Sequence, residues 1–409
     1  MNILEDFPSE KKLMHKHTPE SFSGSYKVNN HLHTPYSFSA FEKISQIFQM
    51  AKEEDISVLG INDFYTTAGY DEFHQLAVEH KIMPLFNIEF IGLLKDFQTK
   101  NMRINDPKNP GRTYFTGKGL TYPVSMNENN ARLLNEVKAR SEEQLKKMVG
   151  HANVFFKETG LPIQLDFDEL KQHYAREMLR ERHIATAIQD KLSQASASDE
   201  EMKSRLTKMF EGKEVQADMT DKPTIQNEIR NKLLKKGGRA FVPEDENAFL
   251  GLEQIKDIII DAGGIPCYPV LLDNPKGEFT DFEGDWHAMH KHLREFNVGC
   301  VELIPGRNAH EVLEDFVKFF NERNFIVTFG TEHNTPALKP LTVTCRNDVP
   351  LGGELEKINF EGASVIAGHQ YKKAKGKEGF LSPGNEPKLK EKEDFVNLGK
   401  AVISEFMAR

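Results

Sequence analysis

The chain has 409 residues, 38% hydrophobic and 28% charged, with a mean hydropathy of −0.54, a balance that excludes both an integral membrane protein and an intrinsically disordered one. Lys and Arg number 53 against 62 Asp and Glu, a net charge of −9, so no global basic field favours nucleic acid and any anion-binding surface must be local. The length suits two or three domains, or one large α/β barrel carrying an insertion.

The first elements follow a strand-then-helix rhythm. Residues 25–31 (SYKVNNH) read as a strand, and Phe41, Ile44, Ile47, Phe48 and Ala51 then recur at helical spacing. A short buried strand is expected over Ser57 to Ile61, a helix over Gly69 to His80, and a further strand over Ile82 to Phe90. The βαβαβ order is that of a parallel sheet or barrel. From about Leu120 to Phe249 the pattern turns helical and polar. Leu134, Val137, Leu145, Met148, Val149 and Ala152 mark one long amphipathic helix ending near Gly160. Ser198 and Glu201 form a capping box, and Gly237-Gly238 stops another helix.

The rhythm returns with the stripe Leu252, Ile255, Ile258, Ile259 and Ala262, stopped by Gly263-Gly264. A strand over 265–270, a helix over 282–296 and a strand over 300–304 follow. Next comes a helix opened by Asn308 as N-cap, with Val312, Phe316, Phe319 and Phe320 inward, and then a strand over 325–329. After Pro340 the signals fade. The Lys-rich stretch 371–392 reads as an exposed loop before a last helix over about 394–407. The expected organisation is therefore a barrel in two pieces, 20–119 and 250–409, around a helical insertion at 120–249.

Cys267, Cys300 and Cys345 are an odd number without CxxC spacing, which argues against a disulfide framework or structural zinc and suits a reducing cytoplasm. The start, MNILEDFPSEKKLMHKH, lacks the basic and apolar regions of a secretion signal, and no apolar run is long enough to span a bilayer. A cytoplasmic location is the expectation.

In a parallel α/β architecture, functional groups gather at the carboxyl ends of the strands. Those ends carry His31 and His33, Asp63, Glu89, Tyr268, Glu302, and Glu332 with His333. Side chains two apart in a strand face the same way, so His31-x-His33 presents two imidazoles together. Imidazoles with carboxylates suit zinc, manganese or iron(II). Glu89 follows the apolar run IMPLFNI, where an ionised carboxylate needs a partner or a cation. Of the 15 histidines, His151, His173, His287 and His290 read as packing or surface residues, and His310 lies in the first turn of its helix.

These residues resemble a known family. His31-Leu-His33-Thr-Pro-Tyr-Ser37 is similar to the opening HxHTxxS motif of the polymerase and histidinol phosphatase (PHP) family of metal-dependent phosphoesterases. In order there follow Gly60-Ile-Asn-Asp63-Phe64, similar to (A/G)ITDH, and Phe86-Asn-Ile-Glu89, similar to GIE. Arg182-His183-Ile-Ala resembles RPHIA, Gly263-Gly264 to Pro269 resembles GGxxxxAHP, and Gly330-Thr-Glu332-His333 resembles GSDxH.

The resemblance implies a distorted (β/α)7 TIM-like barrel with a helical insertion and a metal cluster that activates water to attack a phosphate ester. It implies His31, His33, Glu89, His183 and Glu332 as metal ligands. Phe64 stands where the motif has histidine, as does Tyr268. One zinc, manganese or iron site is therefore expected, with a second sharing Glu89 and His183 left open. Asp63 or His333 would shuttle the proton. Arg112, Lys118, Tyr268 and Arg307 are the candidates for binding substrate, a small anionic molecule rather than nucleic acid or membrane. Two other readings stay open: a degenerate barrel that binds metal or a carbohydrate-like ligand without turnover, and a hydrolase or lyase acting on a non-phosphate bond with Tyr268 as acid.

Overall fold

Seven apolar runs form one sheet in the computed structural model, which describes residues 2–18 and 27–409. They are β1 (Val28–Leu32), β2 (Val58–Phe64), β3 (Met83–Leu93), β4 (Arg112–Lys118), β5 (Ile265–Val270), β6 (Cys300–Leu303) and β7 (Ile326–Phe329), adjacent in chain order. Ser25 and Tyr26, with which the first strand was expected to begin, lie outside the described residues.

All neighbours pair in parallel except β4, which runs antiparallel to both β3 and β5. The helical part of the β3–β4 connection is only Lys95–Thr99, so the chain turns back instead of crossing the sheet as a parallel partner requires. The sheet nearly closes into a barrel. The His33 amide donates to the Glu332 carbonyl (2.8 Å), the Glu332 amide donates to the His31 carbonyl (2.9 Å), and Leu32 bridges Glu332 in parallel register. The closure therefore sits on residues that the motifs singled out, His31, His33 and Glu332.

The closure needs a bare backbone at Gly330. A Cβ there would lie 2.3 Å from the His31 Cβ and 2.6 Å from its amide nitrogen. Gly330→Ala is expected to push the His31 backbone aside and to weaken divalent-metal binding by at least about tenfold, the scale of disturbing a ligand's support. Calorimetric metal titration of the folded variant checks this; parental affinity would contradict it.

Between β4 and β5 the described chain is helical. Helix Glu128–Thr159 ends on Gly160 in the left-handed conformation (φ 61°), where glycine carries no steric penalty. It is followed by Phe167–Tyr174, Glu181–Ala195, Asp199–Met209 and Lys222–Ile229. Their buried faces form a hydrophobic cluster of their own, including Leu145, Phe156, Ile184, Leu206 and Ile225. Ser198 caps its helix, its hydroxyl accepting from the Glu201 amide at 3.3 Å, while the Glu201 carboxylate reaches back to the Ala197 amide rather than to that of Ser198.

Three expectations need correction. Asn308 does not cap the helix His310–Asn321, whose N-cap is Ala309. Its buried amide instead donates to the Leu271 and Asp273 carbonyls and ties down the loop after β5. The helix expected from Phe282 begins at Trp286, because the Asp285 carboxylate accepts from the His287 and Ala288 amides. The faded region after Pro340 contains a long helix, Gly353–Ala374, and Tyr371, expected in an exposed loop, is buried within it. This helix meets the amino-terminal side of the barrel: Asn359 donates to the Val28 carbonyl, Gln370 to that of Pro84, and His369 pairs with that of Gly263. A Cβ on Gly399 would lie 1.7 Å from the Ser364 carbonyl, so the last helix, Lys392–Ala408, packs on it backbone to backbone. Among the described residues no helix is long and apolar enough to cross a membrane, and Cys267, Cys300 and Cys345 are buried free thiols.

Candidate metal centre

β1 carries His31 and delivers His33 directly after its last residue, and β3 places Glu89 opposite Phe64 of β2. One ligand atom from each of His31, His33 and Glu89 lies within 4.8 Å of the others, and all three side chains are buried. Glu89 Oε2 is 3.0 Å from His33 Nε2 and 3.5 Å from His31 Nε2. It nonetheless has no hydrogen bond of acceptable geometry. A buried carboxylate oxygen in that condition is costly unless a cation completes it. This orphaned oxygen, between two imidazole nitrogens, fits a divalent ion of the zinc, manganese or iron(II) kind.

The other nitrogen of each ring is held from behind. His31 Nδ1 lies 3.0 Å from Glu302 Oε2 on β6. Glu302 also accepts from Thr116 Oγ1 (2.6 Å) and pairs with Lys118 Nζ (2.5 Å), both on β4. His33 Nδ1 lies 3.2 Å from Ser37 Oγ, and Ser37 donates to Asp63 Oδ1 (2.5 Å). Ser37, donating to Asp63, thereby holds His33 from its Nδ1 side and leaves Nε2 facing Glu89. The Asn62 side-chain amide sits beside the His31 ring, 2.9 Å from its Nε2.

Electrostatics follow this wiring. Burial pulls the His31 pKa down, but Glu302 and Glu89 outweigh it and raise the pKa to about 9. Burial pushes Glu89 up, and the two imidazoles more than reverse this, to about 2. Glu302 is likewise pushed up by burial and driven well below the usual carboxylate range by Lys118 and His31. Without metal, His31 is therefore protonated and Glu89 ionised at neutral pH. A cation needs the imidazole lone pair and must displace that proton. Between about pH 6.5 and pH 9 apparent metal affinity is expected to rise roughly tenfold per pH unit and then to level off. Calorimetry in buffers of different ionisation enthalpy counts the released proton; zero release at pH 7 would contradict the assignment.

The triad opens into a cavity of about 300 Å³, lined on the barrel side by Phe64, Tyr114, Pro269, Val270, Glu302 and Glu332, and on the helical side by Arg180, Glu181, Arg182 and Arg230. Phe38 and Arg307 also reach it.

Several expected site residues sit elsewhere. Asp63 does not line the cavity. It is buried, accepts from the Thr34 amide (2.8 Å), the Thr34 hydroxyl and Ser37, and supports His33 from behind. His333 stacks on Phe41, with its nitrogens 2.7 Å from Thr331 Oγ1 and 2.9 Å from the Lys339 carbonyl, so neither is offered to the cavity. His183 lies outside the triad; its Nδ1 accepts from the Arg180 amide at 2.9 Å, and burial lowers its pKa to about 3. Glu332 lines the cavity, but its carboxylate is held by Arg307.

Among the substrate-binding candidates, Tyr268 points to the other face of β5. Its hydroxyl donates to Glu283 (3.1 Å) and its ring packs on Phe282, while its neighbour Pro269 faces the cavity, as strand alternation requires. Arg112 is taken by Glu244 and lies over the Phe249 ring. Lys118 is buried in the barrel on Glu302 and does not line the cavity. Glu302 stood on the expected rim, but its pairing with His31 was not anticipated. Arg180 and Arg230 carried no signal beyond belonging to a polar helical segment.

The PHP domain family model matches residues 29–215. In structure the chain is similar to a candidate metal-dependent phosphoesterase from Bifidobacterium adolescentis, with a TM-score of 0.53 and 14% identity, covering 78% of this chain and 92% of that one. It is also similar to an amidohydrolase from Chromobacterium violaceum with bound sulfate and no metal, with a TM-score of 0.48 and 17% identity, covering 81% and 96%. No curated protein matches it in sequence. At such identities the first likeness speaks for the fold.

Proposed function

We propose that the chain, whose residues 29–215 match the PHP domain family model, is a metal-dependent hydrolase acting on the phosphate ester of a small metabolite. The observation that carries this reading is the orphaned Glu89 Oε2 beside His31 and His33 Nε2, at the floor of a cavity. Those three residues would hold one ion. A divalent ion held there supplies Lewis acidity towards a phosphoryl oxygen and lowers the pKa of a water molecule to about 7.

The chain's own groups do the rest. Glu302, fixed by Lys118 and Thr116, orients His31; Ser37 and Asp63 orient His33. The Phe38 and Phe64 rings give the cavity wall its apolar part. Tyr114, whose pKa burial raises well above that of a free phenol, faces the cavity as a neutral donor. A cavity of about 300 Å³ is of small-molecule size, and the net charge of −9 gives nucleic acid no long-range attraction. Neither a nucleic acid nor a membrane is proposed as a partner.

Elemental analysis of the purified protein, with phosphatase and phosphodiesterase panels under added manganese, iron(II) or zinc, tests this reading. Near-stoichiometric metal and metal-dependent release of phosphate are expected. Substoichiometric metal without turnover under any ion would favour the non-catalytic barrel instead. The reading that used Tyr268 as an acid on a non-phosphate bond loses its acid, since that hydroxyl is committed to Glu283.

A further inference from the structure

The cations at the cavity divide into two kinds. Arg307 holds Glu332, and Arg230 holds Glu181. Arg180 and Arg182 hold no carboxylate among the described residues. Each lies instead against a phenylalanine that lines the same cavity: Arg180 Cζ is 4.4 Å from the centroid of Phe64, and Arg182 Cζ is 5.7 Å from that of Phe38. An aromatic face steadies a guanidinium without supplying a counter-charge, so the positive charge stays available to a ligand.

The two platforms connect to the metal triad. The Phe64 ring stacks on His33, with centroids 4.8 Å apart and planes 27° apart, so His33, Phe64 and Arg180 form a three-layer stack rising from the triad into the cavity. The Phe38 ring meets His183 edge-on at 4.9 Å, and His183 Nδ1 in turn accepts the Arg180 amide, which fixes the turn carrying both arginines. Arg182 also donates to Asn227 Oδ1 at 3.1 Å, which aims its guanidinium. Burial, then repulsion from Arg230, lowers the Arg182 pKa to about 10, against the opposing pull of Glu181 and Glu332.

We propose that Arg180 and Arg182 are the phosphate clamp of this site, gripping the phosphoryl oxygens of a phosphate monoester from the helical side of the cavity while the triad approaches them from the barrel side. This role falls to them because Arg112, Lys118 and Arg307 are already neutralised by carboxylates. The assignment rests on the phosphoesterase reading, and its test separates the two.

The probe is inorganic phosphate, titrated calorimetrically into manganese-loaded and into chelated full-length protein. The parent is expected to bind it. Arg180→Gln and Arg182→Gln are each expected to weaken binding by about tenfold or more, the worth of a charge-assisted hydrogen bond to an anion, and the double variant to abolish it. Arg180→Lys should restore only part, because an ammonium cannot make the bidentate contact. Manganese content should stay at the parental level in all of these. Arg132→Gln, on an exposed helix face, should bind phosphate as the parent does. With any monoester the parent hydrolyses, the clamp variants should show a raised KM.

Parental phosphate affinity and KM in Arg180→Gln and Arg182→Gln would overturn the clamp and leave the hydrolase standing. Phosphate bound through these arginines, with no ester turned over under any metal, would uphold the clamp and overturn the hydrolase. A parent that binds no phosphate in either form overturns the clamp.

Discussion

Glu89→Gln protein is expected to bind divalent metal at least about a hundredfold more weakly than the parent, and to lose phosphate-releasing activity in proportion. The exchange keeps shape and volume, so the barrel should fold. What changes is the oxygen that faces both imidazoles without a hydrogen bond of its own. Removing the support of a ligand already costs about 10–100-fold in metal affinity, and removing a ligand's charge should cost at least the upper end of that range. A second effect has a readable sign. His31 is held near pKa 9 by Glu302 and Glu89 together, against burial. With Glu89 neutral its pKa should fall, so the variant should release less proton per metal bound at pH 7. NMR titration of His31 and competition calorimetry measure both quantities. Parental metal content and activity in the variant would remove the proposed centre.

The second large effect concerns stability. Lys118 and Glu302 are both buried, with Nζ and Oε2 2.5 Å apart; among the described residues the ammonium otherwise finds only the Asn30 carbonyl at 3.4 Å and Asn62 Oδ1 at 3.5 Å. Lys118→Met fills nearly the same space and leaves Glu302 ionised against His31 and Thr116 alone. Breaking one side of a buried pair costs about 3–5 kcal/mol, chiefly because the remaining charge stays desolvated. The variant should therefore unfold several degrees below the parent in calorimetry. Adding Glu302→Gln should recover more than half of the loss, because it removes the stranded charge, while still weakening metal binding through His31. A Lys118→Met protein as stable as the parent would show that the pair carries no such strain.

These expectations turn on contacts that chain order alone does not contain. His31 and Glu302 are 271 positions apart, and each looks ordinary alone, a strand-end histidine and a strand glutamate. Lys118 reads equally well as a surface cation in a glycine-rich loop, and only the antiparallel placement of β4 turns it into the barrel. Tyr268 shows the limit of strand alternation: the period of two establishes that Tyr268 and Pro269 face opposite ways, but not which one faces inward. Arg180 and Arg182 are polar residues at the start of a helix until Phe38 and Phe64, more than 100 positions earlier, come beneath them.

The sequence by itself determined the parts governed by local physics. The βα rhythm of β1–β3 and β5–β7 follows from apolar runs and helical stripes over ten or so residues. The pairing of His31 with His33 follows from the pleat, and the need of Glu89 for a partner or a cation from its apolar strand. Tertiary structure alone decided what depends on two sides meeting: the reversed β4, the Lys118–Glu302–His31 relay, the outward Tyr268 and the arginines over the cavity. It also decided the helix Gly353–Ala374, whose burial continues through Gly362 to Tyr371 and leaves no polar face to set a period. The reason is the same in each case. Periodicity records which residues avoid water, whereas a buried charge and an enclosed helix are specified by neighbours that only the folded chain supplies.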